Sequence, residues 1–192
     1  MNSGYYDYHA AVIPERPITL IGLPGARVPM VGATMAALTG LSLRELDHAV
    51  EHRAGGTVSS IFLDRGESHF RTLESETLGR LVREKPPGII VLGDGALLAR
   101  QNRKLVARQT TLVYLRTTAF ALYARLRDEL TESPGKFFHL FPAVPDRPSD
   151  VQALLRSREP SYRGADVVQD MADHHPREIA RTLIAKLALN AT

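Results

Sequence analysis

Short, largely apolar runs alternate with longer stretches of helical period along this chain, and that alternation restricts the fold more than any other feature. Residues 18–21 (Ile-Thr-Leu-Ile) end at Gly22, and residues 89–92 (Ile-Ile-Val-Leu) follow the hard stop Pro86-Pro87-Gly88. Such runs suit strands covered on both faces. Further strands are expected at 41–46, 111–115 and 166–168. Helices are expected at 29–38 (closed by Gly40), 48–54, 58–84 with a break near Gly66, 99–108, 118–130, 149–158 and 176–189. Strands separated by helices require crossovers, so the pattern predicts an α/β fold with a five-stranded parallel sheet and helices on both faces.

A chain of 192 residues is enough for one domain with a sizeable core. That domain is placed at 17–192. The leader, residues 1–16, has neither helical nor strand period. It is either a disordered segment or an arm packed through Tyr5, Tyr6 and Tyr8. Residues 131–148 hold four prolines and one glycine. That is too long for a routine connection, so the segment is expected to be functional or disordered.

Several function classes are excluded or disfavoured. The absence of cysteine removes disulfides and thiolate metal sites. No apolar stretch approaches the ~20 residues of a membrane span, and the N-terminus lacks the pattern of a secretory signal. The expected location is the cytoplasm. Net charge is only +3, and the densest basic run carries Arg100, Arg103, Lys104 and Arg108. A nucleic-acid footprint would carry more charge and interleaved aromatics, so a solvated helix face is expected there.

The turn after the first strand has the frame of a phosphate-binding loop, G-x-x-x-x-G-K-[ST], leading into the first helix. In such loops the backbone N–H groups wrap the phosphates, lysine reaches the β and γ phosphates, and the hydroxyl holds Mg²⁺. Here Gly22 takes the first glycine position and Gly25 lies within the loop. Arg27 takes the second glycine position, Val28 that of lysine and Pro29 that of the hydroxyl. Arg27 puts a bulky side chain where φ is often positive. Val28 removes the charge, and Pro29 removes both the metal ligand and a backbone donor.

From residue 18 to about 187 the chain resembles the shikimate kinases, which phosphorylate a hydroxyl of shikimate with ATP. Residues 22–41 match their phosphate loop and first helix without a gap. Glu45-Leu46-Asp47 sits at their Asp-x-Asp pair, and Phe70-Arg71-Thr72-Leu73-Glu74 at their Phe-Arg-x-x-Glu segment. Gly93-Asp94-Gly95 falls on their triple-glycine turn. Pro145-Asp146-Arg147 and the segment from Arg158 to Arg163 match the end of the lid and the helix behind it. The resemblance implies a shikimate-kinase-like P-loop sheet with a lid at about 131–148. It implies that Asp47 accepts hydrogen bonds from substrate hydroxyls near the reacting oxygen. Arg71 and Arg158 then clamp the substrate carboxylate, Gly93 and Gly95 offer backbone contacts, and Glu74 orients Arg71.

The chain departs from the family in a consistent direction. Glu45 lengthens the first acid of the pair. Asp94 replaces the central glycine and sets a carboxylate beside an anionic substrate, which weakens binding unless it points away or is paired. His139 stands at the lid arginine, and a neutral imidazole does not replace a permanent cation. His48-Ala-Val-Glu51-His52 fits the H-x-x-E-H metal pattern, but it follows Glu45-Leu46-Asp47 where the family has an ordinary acidic helix. No metal is expected, with Glu45 near Mg²⁺ only if the protein is active.

Three functions are therefore carried forward. The first is a non-catalytic binder of a small cyclic carboxylate such as shikimate, or a regulatory pseudokinase, with no cofactor. The second is an active shikimate kinase or related small-molecule kinase using ATP and Mg²⁺ through an atypical phosphate site. The third is a protein–protein module, motivated by the tyrosine-rich leader and by Phe137, Phe138 and Phe141.

Overall fold

A computed structural model describes residues 12–132, 145–171 and 174–189. In chain order the elements are β1 (Ile18–Ile21), α1 (Val28–Thr39), β2 (Leu43–Glu45), α2 (Leu46–Ala54), α3 (Val58–Arg83) and β3 (Ile89–Val91). A 3-10 turn (Ala96–Leu98) follows, then α4 (Arg100–Gln109), β4 (Thr111–Arg116), α5 (Ala119–Glu132), α6 (Pro148–Tyr162), β5 (Val167–Asp170) and α7 (Pro176–Lys186). His139, the lid phenylalanines and the three leader tyrosines lie outside the described residues.

The five strands form one parallel sheet in the order β2-β3-β1-β4-β5. In β1, Ile18 lies opposite Ile89 of β3 and Thr111 of β4. All four β1 residues are buried, as expected of a central strand with helices on both sides. Alternation divides the strand side chains between two cores. Ile18, Leu20, Ile89, Val91, Val113 and Leu115 face α1, α5, α6 and α7. Ile21, Ile90, Leu112 and Tyr114 face α2, α3 and α4. The one polar β1 side chain, Thr19, meets the Thr110 hydroxyl at 2.9 Å, so neither buried group is left unpaired.

This topology fixes where a site can form. The β1 crossover runs through α1 on one face, and the β3 crossover runs through α4 on the other. β1 and β3 are neighbours, so the chain diverges between them. The crevice outside their carboxyl ends is where open α/β sheets bind ligands. The segments leaving β1, β2 and β3 are those holding Gly22, Asp47 and Gly93.

Some boundaries differ from expectation. β2 is shorter, because α2 already begins at Leu46; Asp47 therefore stands in the first turn of a helix. α3 carries the expected break: Gly66 is non-helical, at φ 78° and ψ 165°. α6 does not stop at 158 but continues through Pro160 to Tyr162. Among the described residues no helix is long and apolar enough to cross a membrane.

Candidate functional site

The segment after β1 folds as a tight turn, with the Ala26 N–H donating to the Leu23 carbonyl at 2.9 Å. Arg27 caps α1 in the left-handed region, at φ 56° and ψ 31°, and Pro29 occupies the first turn. Val28 is only 4% exposed. Its side chain lies across the loop: a Cβ added to Gly22 would sit 2.9 Å from Val28 Cγ2. Where a phosphate loop presents an ammonium, this one presents a methyl group.

The loop forms one wall of a cavity of about 680 Å³ at the carboxyl edge of the sheet, between β1 and β3. Among the described residues, its charged lining comprises the carboxylates of Glu45, Asp47, Glu51, Asp94 and Glu129 and the guanidinium of Arg27. Glu51 also accepts the Val58 N–H at 3.0 Å and so caps the start of α3. Among these carboxylates Asp94 is paired with Arg158. Positions 28 and 29 carry neither the lysine nor the hydroxyl of the phosphate-loop pattern.

The opposite wall is built differently. Asp47, in the first turn of α2, packs against the turn after β3. A Cβ on Gly93 would approach Asp47 Oδ1 to 2.7 Å, so only glycine permits this contact. Burial pushes the Asp47 carboxyl up to about 6, and the charges of Asp94, Glu51 and Glu45 add to that; Arg71 opposes it.

Arg71 projects from α3 over the same turn. A Cβ on Gly95 would fall 2.5 Å from Arg71 Nη2. Arg71 Nη1 donates to both Glu74 oxygens, at 3.0 and 3.1 Å, and Nε donates to Glu67 at 3.2 Å. Its guanidinium carbon also lies 5.1 Å from the Phe70 ring centre, within cation–π range. Glu74 is 1% exposed. Burial raises its carboxyl to about 7, more than Arg71 lowers it, with Asp47 and Asp94 contributing to the rise.

Arg158 reaches the turn from α6. Its Nε donates to Asp94 Oδ2 at 3.1 Å, with the two side chains 16% and 11% exposed. One turn further along α6, the buried Tyr162 hydroxyl donates to the Asp94 carbonyl at 2.6 Å. The Tyr162 ring packs on Tyr114, centre to centre 5.0 Å.

Asp47, Arg71, Glu74, Gly93, Gly95 and Arg158 thus converge on one turn. Gly22, Gly25, Arg27, Val28 and Pro29 line the other side of the cavity, and Glu45, at the end of β2, is also part of its lining. Two participants are not visible from sequence spacing. One is Asp94 as the partner of Arg158, 64 residues away. The other is Tyr162, which reaches the turn because α6 continues past Pro160.

Comparison with known proteins gives a consistent result. A family model described as Shikimate kinase matches residues 29–188. The match begins after Val28, so most of the loop lies outside it. The chain is similar to a shikimate kinase of Thermobifida fusca (strain YX), 37% identical over 173 residues, covering 90% of this chain and 95% of that protein. It is 34% identical over 176 residues to a shikimate kinase of Frankia casuarinae, covering 88% of this chain and 72% of that one. In three dimensions it is similar to the shikimate kinase from Acinetobacter baumannii in complex with shikimate. The TM-score is 0.79 at 27% identity, over 90% of this chain and 93% of that one.

Proposed function

The chain belongs to the shikimate kinase family, and from that premise we propose that it binds a small hydroxylated ring ligand on its acceptor side without normal phosphoryl transfer from ATP. The observation that carries this reading is the phosphate loop, where Val28 lies over Gly22 and Pro29 begins the helix. Phosphoryl transfer depends almost wholly on positioning and charge neutralisation. Loss of a single preorganised electrostatic group costs about 3 kcal/mol of barrier. Losing both the lysine and the Mg²⁺ ligand therefore implies several orders of magnitude in rate.

The acceptor side supports binding. Asp47 lines the cavity as an acceptor suited to a ring hydroxyl, and Gly93 and Gly95 let the side chains of Asp47 and Arg71 close on the turn. The ligand class is that of shikimate, a polyhydroxylated ring that carries a carboxylate.

A working kinase is the second reading. Its relatives' names favour it, and so does one observation in the site. Asp47 is held at about 6, near the value at which a carboxylate serves as a general base close to neutral pH. Arg27 would then supply the phosphate-side charge.

A coupled ADP-release assay with shikimate and with its methyl ester, joined to calorimetry with ATP–Mg²⁺, separates the two readings. No release above background and no micromolar heat are expected from the folded protein. Micromolar ATP affinity together with turnover of either compound would remove the first reading.

A further inference from the structure

The charge balance around the turn after β3 is set by a residue that the expected clamp does not include. Asp94 takes the place of a glycine, and its carboxylate sits on Arg158 at 3.1 Å. Both side chains are largely shielded from water. The position is fixed from behind, because the buried Tyr162 hydroxyl holds the Asp94 carbonyl at 2.6 Å. The other guanidinium is occupied as well: Arg71 bonds both oxygens of Glu74 and one of Glu67.

With every group ionised, Arg71 and Arg158 face Glu67, Glu74, Asp94 and Asp47, an excess of two negative charges. A further carboxylate arriving at Arg158 would lie beside the Asp94 carboxylate already on its Nε. Either the two anions crowd together in a shielded site or Asp94 gives up its partner, and both are unfavourable. Asp47 already feels this charge, since Asp94 is the largest charged contributor to its raised pKa.

We propose that Asp94 is a built-in carboxylate that occupies Arg158, so that the site selects an uncharged polyhydroxylated ring over a ring carboxylate. The proposal rests on the reading above that the acceptor side binds a ring ligand, and it reverses the charge preference that two free arginines would give. Asp94 is a specificity-determining residue on this account. A glycine at 94 would leave Arg158 Nε open to a ligand carboxylate, whereas aspartate places a carboxylate on it from within.

Shikimate and its methyl ester are suitable probes, because they share the ring and hydroxyls and differ in charge. Binding of each is measured by calorimetry to the full-length protein and to two variants, Asp94→Asn and Asp94→Gly. The first keeps the size of the side chain and the second removes it. Thermal melts confirm that each variant is folded, and either folded variant suffices. The wild type is expected to bind the ester at least about tenfold tighter than shikimate, and either variant to gain about tenfold for shikimate. Ester affinity should change much less. The proposal is overturned if the wild type prefers shikimate, if a folded variant leaves shikimate affinity unchanged, or if neither probe binds any form. ADP release is measured in parallel and reports on the preceding reading alone. Turnover combined with ester preference sinks only that reading; a silent protein indifferent to Asp94 sinks only this one.

Discussion

Asp47 illustrates how a single side chain couples the site to stability. Its carboxyl is raised from 3.8 to about 6 by burial and by three neighbouring carboxylates. The folded protein therefore holds this proton more tightly than the unfolded chain does. The resulting stability is fully present below the unfolded value of 3.8 and is lost as pH rises through 6. Above pH 7 the ionised group costs on the order of 2–3 kcal/mol, because each tenfold gain in proton affinity is worth about 1.4 kcal/mol. Asp47→Asn should thus be more stable than the wild type at pH 7.5 in urea unfolding, with the difference disappearing below pH 4. An asparagine variant equally destabilised at both pH values would contradict this. Asp47, Arg71 and Arg158 are legible in the sequence only through several short motifs standing in the family's order, since each alone reads as an ordinary helix-surface group. The Asp94–Arg158 pair is not, because it joins the turn after β3 to α6 and depends on how α6 lies against the sheet.

At the scale of elements, two backbone positions make opposite predictions. Arg27 caps α1 at φ 56°, where a side chain costs roughly 1–2 kcal/mol. Glycine recovers that cost and gives back roughly 0.5–1 kcal/mol in unfolded-chain entropy. Arg27→Gly should therefore stabilise the protein by up to about 1 kcal/mol. Gly66 sits at φ 78° and ψ 165° within α3, a region open essentially to glycine alone. A Cβ there would meet nothing within 4 Å, so backbone strain and not crowding sets the cost. Gly66→Ala should destabilise by about 1–3 kcal/mol. It should also disturb the cavity, because the first turn of α3 contributes Val58 and Ser59 to its lining. Melting temperatures of the two variants on either side of the wild type would bear this out; shifts in the same direction would not. The break at Gly66 is legible because glycine interrupts an otherwise helical stretch, and β1, β3 and β4 are legible as largely apolar runs. The end of α6 is not, since Pro160 signals termination. Here it falls within the last turn, and Tyr162 is drawn into the second core by Tyr114. The start of β5 also shifts, because Asp166 turns its carboxylate to the Leu112 N–H at 2.8 Å instead of joining the strand.

Across the whole molecule, net charge and site charge have opposite signs. The chain carries +3, whereas five carboxylates and one guanidinium line the cavity among the described residues. Overall composition therefore says little about which ligand is accepted. The site also draws on both sides of the sheet. α2 and α3 belong to one core, while α6 contributes Val151 and Leu155 to the other and Tyr162 to the first. A ligand spanning Asp47 and the turn after β3 would therefore strengthen the junction between the two cores rather than one loop. Binding confined to the native state adds about 2.7 kcal/mol at a ligand concentration of one hundred times Kd. For a domain of this size each kcal/mol raises the melting midpoint by roughly 2–4 °C. Methyl shikimate at that excess should thus raise the midpoint by about 5–10 °C. Hydrogen exchange should slow in β1 and β4 as well as at the site, because those central strands exchange by opening large parts of the structure. Millimolar ATP–Mg²⁺ should leave both measures unchanged. A midpoint shift with ATP–Mg²⁺ as large as that with the ester would instead favour the kinase reading. It would mean that the phosphate side gains enough from Arg27 to overcome the carboxylates around it.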